Sequence, residues 1–267
     1  MPSHPRFSTL RSCRRSSPSL TTHALSGALL VLCICANVQA QSSEVAPLYV
    51  GQFEQTQAPW EEIRLSEKLK PNQYELKTVE GVAALQVTSH NSMSLFGRSL
   101  QDLPLDLGKT PVLCWRWRID APLKTANIQE KSGDDYAARL YISLQIPEDE
   151  QGFFLKTQLG LARSIWGPHV PDAALNYVWD NQQPVGTTLP NAYTDRTMMI
   201  VQRSGSEQAG QWQWESVNVA QDAKKFFGPS ALPVQIAITS DTDNTGEQAV
   251  AAFADLHFIA PHQNCGE

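Results

Sequence analysis

The chain reads as mainly all-β, an antiparallel β-sandwich or jelly roll with one or two short helices. Short runs with period-two alternation recur between turn signals, and only two brief stretches show helical spacing. The strand–helix–strand repeat that a parallel sheet needs is missing, which excludes a doubly wound fold.

Leu48 to Glu54 opens the strand series, followed by Trp60 to Leu65 and Gln73 to Thr78. Glu80-Gly81 is a two-residue hairpin signal leading into Val82 to Thr88. Pro111 to Asp120 is the clearest strand: Leu113, Trp115, Trp117 and Ile119 alternate with Cys114, Arg116 and Arg118. In Asp135 to Ile146, Ala138, Leu140, Ile142 and Leu144 alternate with Ala137, Arg139, Tyr141 and Ser143. Across 152–166, Phe154, Leu155, Leu159 and Ala162 fall near helical spacing, and Gly167-Pro168 ends the run. Strands resume at Leu175 to Trp179, Arg196 to Arg203 and Gln211 to Val219. Ala220 to Phe227 reads as a short helix closed by Gly228, with Pro229 beyond. Val234 to Thr239 and Gln248 to Ile259 close the series on either side of the polar loop 240–247.

Residues 1–40 hold four arginines and no Asp or Glu, followed within that stretch by an apolar run and by Val38-Gln39-Ala40. A positive start, a short apolar run and a small-x-small end describe a secretory signal peptide, so the expected protein is exported, periplasmic or extracellular. The apolar run is shorter than the roughly 20 residues of a membrane span. Residues 41–47 then form a leader, 48–260 one sandwich domain and 261–267 a tail. Without the signal, 17 basic residues face 27 acidic ones, a net charge of −10. Nucleic acid and, after cleavage, anionic membrane are poor partners for such a surface, since both require clustered Lys and Arg. Five cysteines fall to two, Cys114 in a strand and Cys265 in the tail. An oxidising compartment permits a bridge between them, but the simpler reading is a buried free thiol and a loose tail thiol.

Five segments carry a family likeness: Gly133-Asp134-Asp135-Tyr136-Ala137-Ala138-Arg139-Leu140-Tyr141, Cys114-Trp115-Arg116-Trp117, Asn176-Tyr177-Val178-Trp179, Phe226-Phe227-Gly228 and Asp241-Thr242-Asp243-Asn244-Thr245-Gly246. Together they resemble the bacterial exported family known as domain of unknown function 3047, from roughly Phe53 to Ile259. The resemblance implies no established activity and no catalytic residues. Phe53-Glu54 near the start and Phe253-Ala254-Asp255-Leu256 near the end are similar, more weakly, to the paired terminal strands of galactose-binding-type sandwiches.

Arg116 and Arg118 share one strand face, and Arg139 and Tyr141 share a face of the next strand. If those strands pair in register, three guanidiniums and a phenol gather on one surface, with Asp134 and Asp135 at its edge. Guanidinium forks hold carboxylate or sulfate bidentately, which points to a glycan or a small anionic ligand. The competing reading pairs these arginines with Asp134, Asp135 or Glu215 as structural ion pairs. Trp115 and Trp117 belong in the core, and Trp212 and Trp214 share another strand face. Trp179, beside Asp180 and Asn181, is a candidate sugar platform, with packing as the alternative. A structural calcium is the one cofactor the chain suggests, with weak candidate ligands either in the polar loop, at Asp241 and Asp243, or between the terminal strands, at Asp255. The alternative is an Asx-rich turn, and Ala252 at the position of the bidentate Glu excludes an EF-hand.

No nucleophile elbow, zinc-protease helix, paired Cys-x-x-Cys or phosphate loop is present. The expected function is therefore an exported, non-catalytic ligand- or glycan-binding protein of the cell envelope. One alternative is a lyase-like enzyme of acidic glycans, using Tyr141 with Tyr177 or His169 among the arginines. The other is a structural or assembly component of the envelope.

Overall fold

The structure is a computed structural model describing residues 45–54, 59–166 and 170–266; the expected signal and most of the leader lie outside them. Its strands are β1 (Leu48–Gly51), β2 (Glu61–Ile63), β3 (Gln73–Val79), β4 (Val82–His90), β5 (Leu95–Ser99), β6 (Val112–Ile119), β7 (Tyr136–Gln145), β8 (Ala173–Asp180), β9 (Thr188–Asn191), β10 (Thr194–Ser204), β11 (Gln213–Asn218), β12 (Leu232–Asp241) and β13 (Gln248–Ile259). Two helices, α1 (Phe153–Trp166) and α2 (Val219–Phe227), interrupt them.

Alternation in these strands buries one apolar row on each sheet, and two such rows packed together make a β-sandwich. One sheet has six strands in the order β11-β6-β13-β4-β3, with β1 also on β13; the other has seven, β2-β5-β12-β7-β8-β10-β9. The terminal strands pair antiparallel, with Leu48 opposite Phe258. Between the sheets Trp115, Trp117, Tyr177, Trp179 and Phe253 are all at most 1% exposed.

Local signals account for much of this. Glu80 (φ 49) and Gly81 (φ 81) both take the left-handed conformation of a tight hairpin turn between β3 and β4. The Asn218 side chain accepts from Gln221 N to cap α2, and Gly228 at φ 97 ends it. Gly133 is required by close approach, since a Cβ there would lie 2.5 Å from Asn127 N.

Two strands have weak signals. β5 carries Gly97, where a Cβ would meet Ala237 Cβ and Ile63 Cδ1 at 3.0 Å. β9 contains Pro190, tolerable because β9 is an edge strand. β9 runs along that edge and β10 returns between it and β8, so β8 and β10 pair parallel within an otherwise antiparallel fold.

The two remaining cysteines are bridged, which corrects the expectation of free thiols: Cys114 and Cys265 have Cα atoms 5.6 Å apart. Cys114 points outward on β6, and residues 260–266 cross that outer face instead of hanging loose. Gln263 Nε2 donates to Val45 O, and a Cβ on Gly266 would lie 3.2 Å from the Trp214 ring. No local pattern could reveal a bond spanning 151 residues. Cys265→Ser is expected to lower unfolding free energy by about 2–5 kcal/mol, read from urea melts of the oxidised protein. An unchanged midpoint would show that the bridge does not form in solution.

Candidate functional site

The predicted arginine face is divided between the two sheets. β6 pairs with β11 and β13, whereas β7 pairs with β12 and β8. Both strands point their apolar rows inward, so Arg116 and Arg118 face outward on one side of the sandwich and Arg139 and Tyr141 on the other. The in-register pairing of these strands was the wrong premise. Each of the three guanidiniums has a carboxylate partner, but with different acids from those expected: Asp255 for Arg116, Glu80 and Asp120 for Arg118, and Asp241 for Arg139.

On the seven-stranded sheet, Arg139, Tyr141, Asp134 and Asp135 do come together. Arg139 is 3% exposed and lies between the rings of Tyr136 and Tyr141, its guanidinium carbon 5.0 and 4.5 Å from their centroids. It donates from Nη1 to Asp241 Oδ2 at 2.6 Å and from Nε to Asn176 Oδ1 at 3.0 Å. Asp241 Oδ1 accepts from Tyr136 N, while Asp134 accepts from the Tyr136 hydroxyl at 3.2 Å and from Asn191 Nδ2 at 2.8 Å. Asp135 accepts from the backbone N–H groups of Asn244 and Thr245 and pins the 242–246 loop. Three of the five family-like segments therefore meet at one place. Burial raises the Asp241 carboxyl despite Arg139 beside it, and nearby carboxylates add to that rise.

Asn176 was missed as a site residue. It lies in the middle of a strand whose every residue is buried, facing outward where Tyr177 faces the core.

On the six-stranded sheet, Arg116 lies beside Trp212 and Trp214, 5.7 and 5.3 Å from their ring centroids. Asp255 sits at a break in the β13–β6 register with φ 54, and this bulge aims its carboxylate at Arg116. Trp212 packs against the row Ala84, Ala252 and Ala254 and donates from Nε1 to Val79 O. Trp212, Trp214 and Arg116 are each half-buried.

Trp179 is not a surface platform. It is 1% exposed, packs 5.9 Å from Trp117 and donates to Gly205 O. Inward alternation on β8 explains its position. Of the suggested calcium ligands, Asp255 is paired with Arg116 and Asp241 with Arg139. Among the described residues, no group of three or more His, Cys, Asp or Glu is placed to hold a metal. His169 lies outside the described residues.

The family model described as protein of unknown function (DUF3047) matches residues 58–257. No curated protein matches the chain. Among solved structures, the fold is similar to the family 11 carbohydrate-binding module of the cellulosomal cellulase Lic26A-Cel5E of Clostridium thermocellum. That likeness has 9% identity and a TM-score of 0.41, covering 84% of this chain and 99% of the module. It is also similar to an exo-β-agarase, with 11% identity and a TM-score of 0.33, covering 82% of this chain and 25% of the agarase.

Burial pushes the Tyr74 phenol up to about 12 and raises Tyr136, Tyr141 and Tyr177 further above the ordinary value. The native state therefore keeps protons that an unfolded chain releases near pH 10, so stability is lost as pH rises beyond that point. An alkaline titration of phenolate absorbance should show these four ionising only as the fold melts. Ionisation of all six tyrosines at about pH 10 with circular dichroism unchanged would contradict their placement.

Proposed function

Since the chain belongs to the DUF3047 family, whose description assigns no activity, we propose from its own geometry that it is an exported, non-catalytic glycan-binding protein of the cell envelope. Arg116 beside the half-buried Trp212 and Trp214 is the observation that carries this reading. Indole rings stack on the apolar faces of sugars, and a guanidinium paired with a carboxylate offers hydroxyl groups both donors and acceptors. Arg116 and Trp214 stand on strands, and Trp212, just before β11, is held by the alanine row and by Val79 O, so little ordering is needed on binding. With Arg116 and Arg118 already paired to carboxylates, a polyhydroxylated ligand suits the face better than a strongly anionic one. The signal-like start of the sequence and the Cys114–Cys265 bridge both support an oxidising, exported location.

Binding is favoured over lyase chemistry by the state of the proposed catalytic groups. Burial raises the Tyr141 phenol and so keeps it protonated, with no phenolate to take a proton from a substrate, and Arg139 is committed to Asp241 instead of standing free for a uronate. One observation favours an assembly role as a second reading. Phe153 and Phe154 on α1 are 80% and 87% exposed, the kind of surface that marks protein contacts.

Titration calorimetry with neutral and acidic polysaccharides tests the proposal. Trp212→Ala and Arg116→Ala should each weaken binding by about tenfold, as loss of a stacking ring or of a charged hydrogen-bond donor would. Phe153→Ser with Phe154→Ser should leave binding unchanged. Absence of binding to any glycan, or release of unsaturated, ultraviolet-absorbing products from uronate polymers, would overturn it.

A further inference from the structure

Asp255 stands where a regular strand would not place an outward side chain. On β13, Ala254 pairs with Arg116 and His257 with Cys114, so Asp255 and Leu256 together face the single residue Trp115. Leu256 keeps its place in the core, and Asp255 is the extra residue of a β-bulge, turned to the outer face at φ 54. The left-handed conformation costs backbone energy even for aspartate, and strain of this kind collects at functional positions.

Asp255 Oδ2 accepts from Arg116 Nε, yet the two side chains remain 26% and 27% exposed. Within the described residues, Arg116 Nη1 and Nη2 and Asp255 Oδ1 make no hydrogen bond, and none of the three atoms is enclosed. The guanidinium lies beside both the Trp212 and Trp214 rings. Two forked donors and one acceptor are therefore open to solvent next to two half-buried indoles.

Charge decides what this fork takes. A guanidinium with no acid beside it favours carboxylate, sulfate or phosphate. With Asp255 on its Nε the pair is neutral overall, and a ligand carboxylate at the fork would sit beside a carboxylate already there. Two adjacent sugar hydroxyls meet no such repulsion: both accept from the fork, and one donates back to Oδ1. The other Lys and Arg side chains on the outer face of these strands give a carboxylate little help. Arg118 is paired with Glu80 and Asp120, while Lys77 on β3 is separated from Arg116 by β4 and β13. At ordinary strand spacing, the Cα atoms of Lys77 and Arg116 are about 14 Å apart.

We propose that Asp255 is the specificity-determining residue of the Trp212 face, admitting neutral sugars through adjacent hydroxyls and turning away uronates. This rests on the glycan-binding reading of that face.

Asp255→Asn removes the charge, while asparagine tolerates the left-handed bulge and still accepts from Arg116 Nε. Asp255→Gly removes the carboxylate with no backbone cost at φ 54, and serves equally should the first variant not fold. Calorimetry on the full mature protein compares hexamers of glucose, galactose and mannose with hexamers of galacturonate and mannuronate. The wild type should bind at least one neutral hexamer about tenfold or more tighter than either uronate. Each variant, with native circular dichroism, should gain about 5- to 100-fold in affinity for a uronate hexamer, and added salt should erode that gain. Arg116→Gln on top of Asp255→Asn should abolish it. Glu130→Gln drops the same charge at an exposed position in the loop before β7, and should leave the preference unchanged. Equal wild-type affinity for uronate and neutral hexamers, or no gain in the variants, overturns the role of Asp255 and leaves the glycan-binding reading standing. A wild type that binds no hexamer overturns both.

Discussion

The two sheets meet through a slab of aromatic side chains, and the direction of every surface residue follows from it. Trp117 is the centre of this slab, with Trp115, Trp179 and Phe253 at 5.4, 5.9 and 6.2 Å. Strand side chains alternate strictly, so drawing Trp115 and Trp117 inward forces Arg116 and Arg118 outward on the same strand. On the facing sheet, inward Tyr177 and Trp179 place Asn176 and Val178 outside. Slipping either strand by one residue would bury guanidinium or amide groups and expose indoles. Register is therefore held by the hydrophobic effect acting on these large rings.

Charged groups in the buried layers are tied to partners, whereas the Trp115 indole N–H between the sheets and the Ser240 hydroxyl have none among the described residues. Glu215 faces the slab and accepts from Trp117 Nε1 and Arg203 Nε, contacts that favour its charged form while burial raises its carboxyl overall. The Arg139–Asp241 pair is costly to desolvate, and removing one partner alone is expected to cost about 3–5 kcal/mol. Its geometric role is plain: Asp241 also receives Tyr136 N, so one carboxylate joins the start of β7 to the end of β12. Asp135 next to it anchors the following loop. The turn-like loop sequence thus bonds to a neighbouring strand end more than to itself.

The outer faces of the two sheets differ in kind. One has half-buried indoles around an accessible ion pair; the other has a nearly enclosed ion pair roofed by tyrosine. The disulfide-held tail lies against the first face, bringing Gly266 to the edge of Trp214.

Period-two alternation in Pro111–Asp120 and Asp135–Ile146, the Glu80-Gly81 turn and the Gly228 stop were legible from residue order alone, because each is a short-range property of the backbone. They determined a sandwich with inward Trp115 and Trp117 and outward Arg116, Arg118 and Arg139. What they left undecided was which strand lies beside which. β7 lies against β12 and β8 instead of β6, and Cys114 meets Cys265, through contacts distant in sequence. Only tertiary packing chose among the ways of closing two apolar sheet faces. That choice separated the arginines, buried Trp179 and placed Asn176 beside Arg139, because every closure with the rings inside satisfies the local pattern equally well.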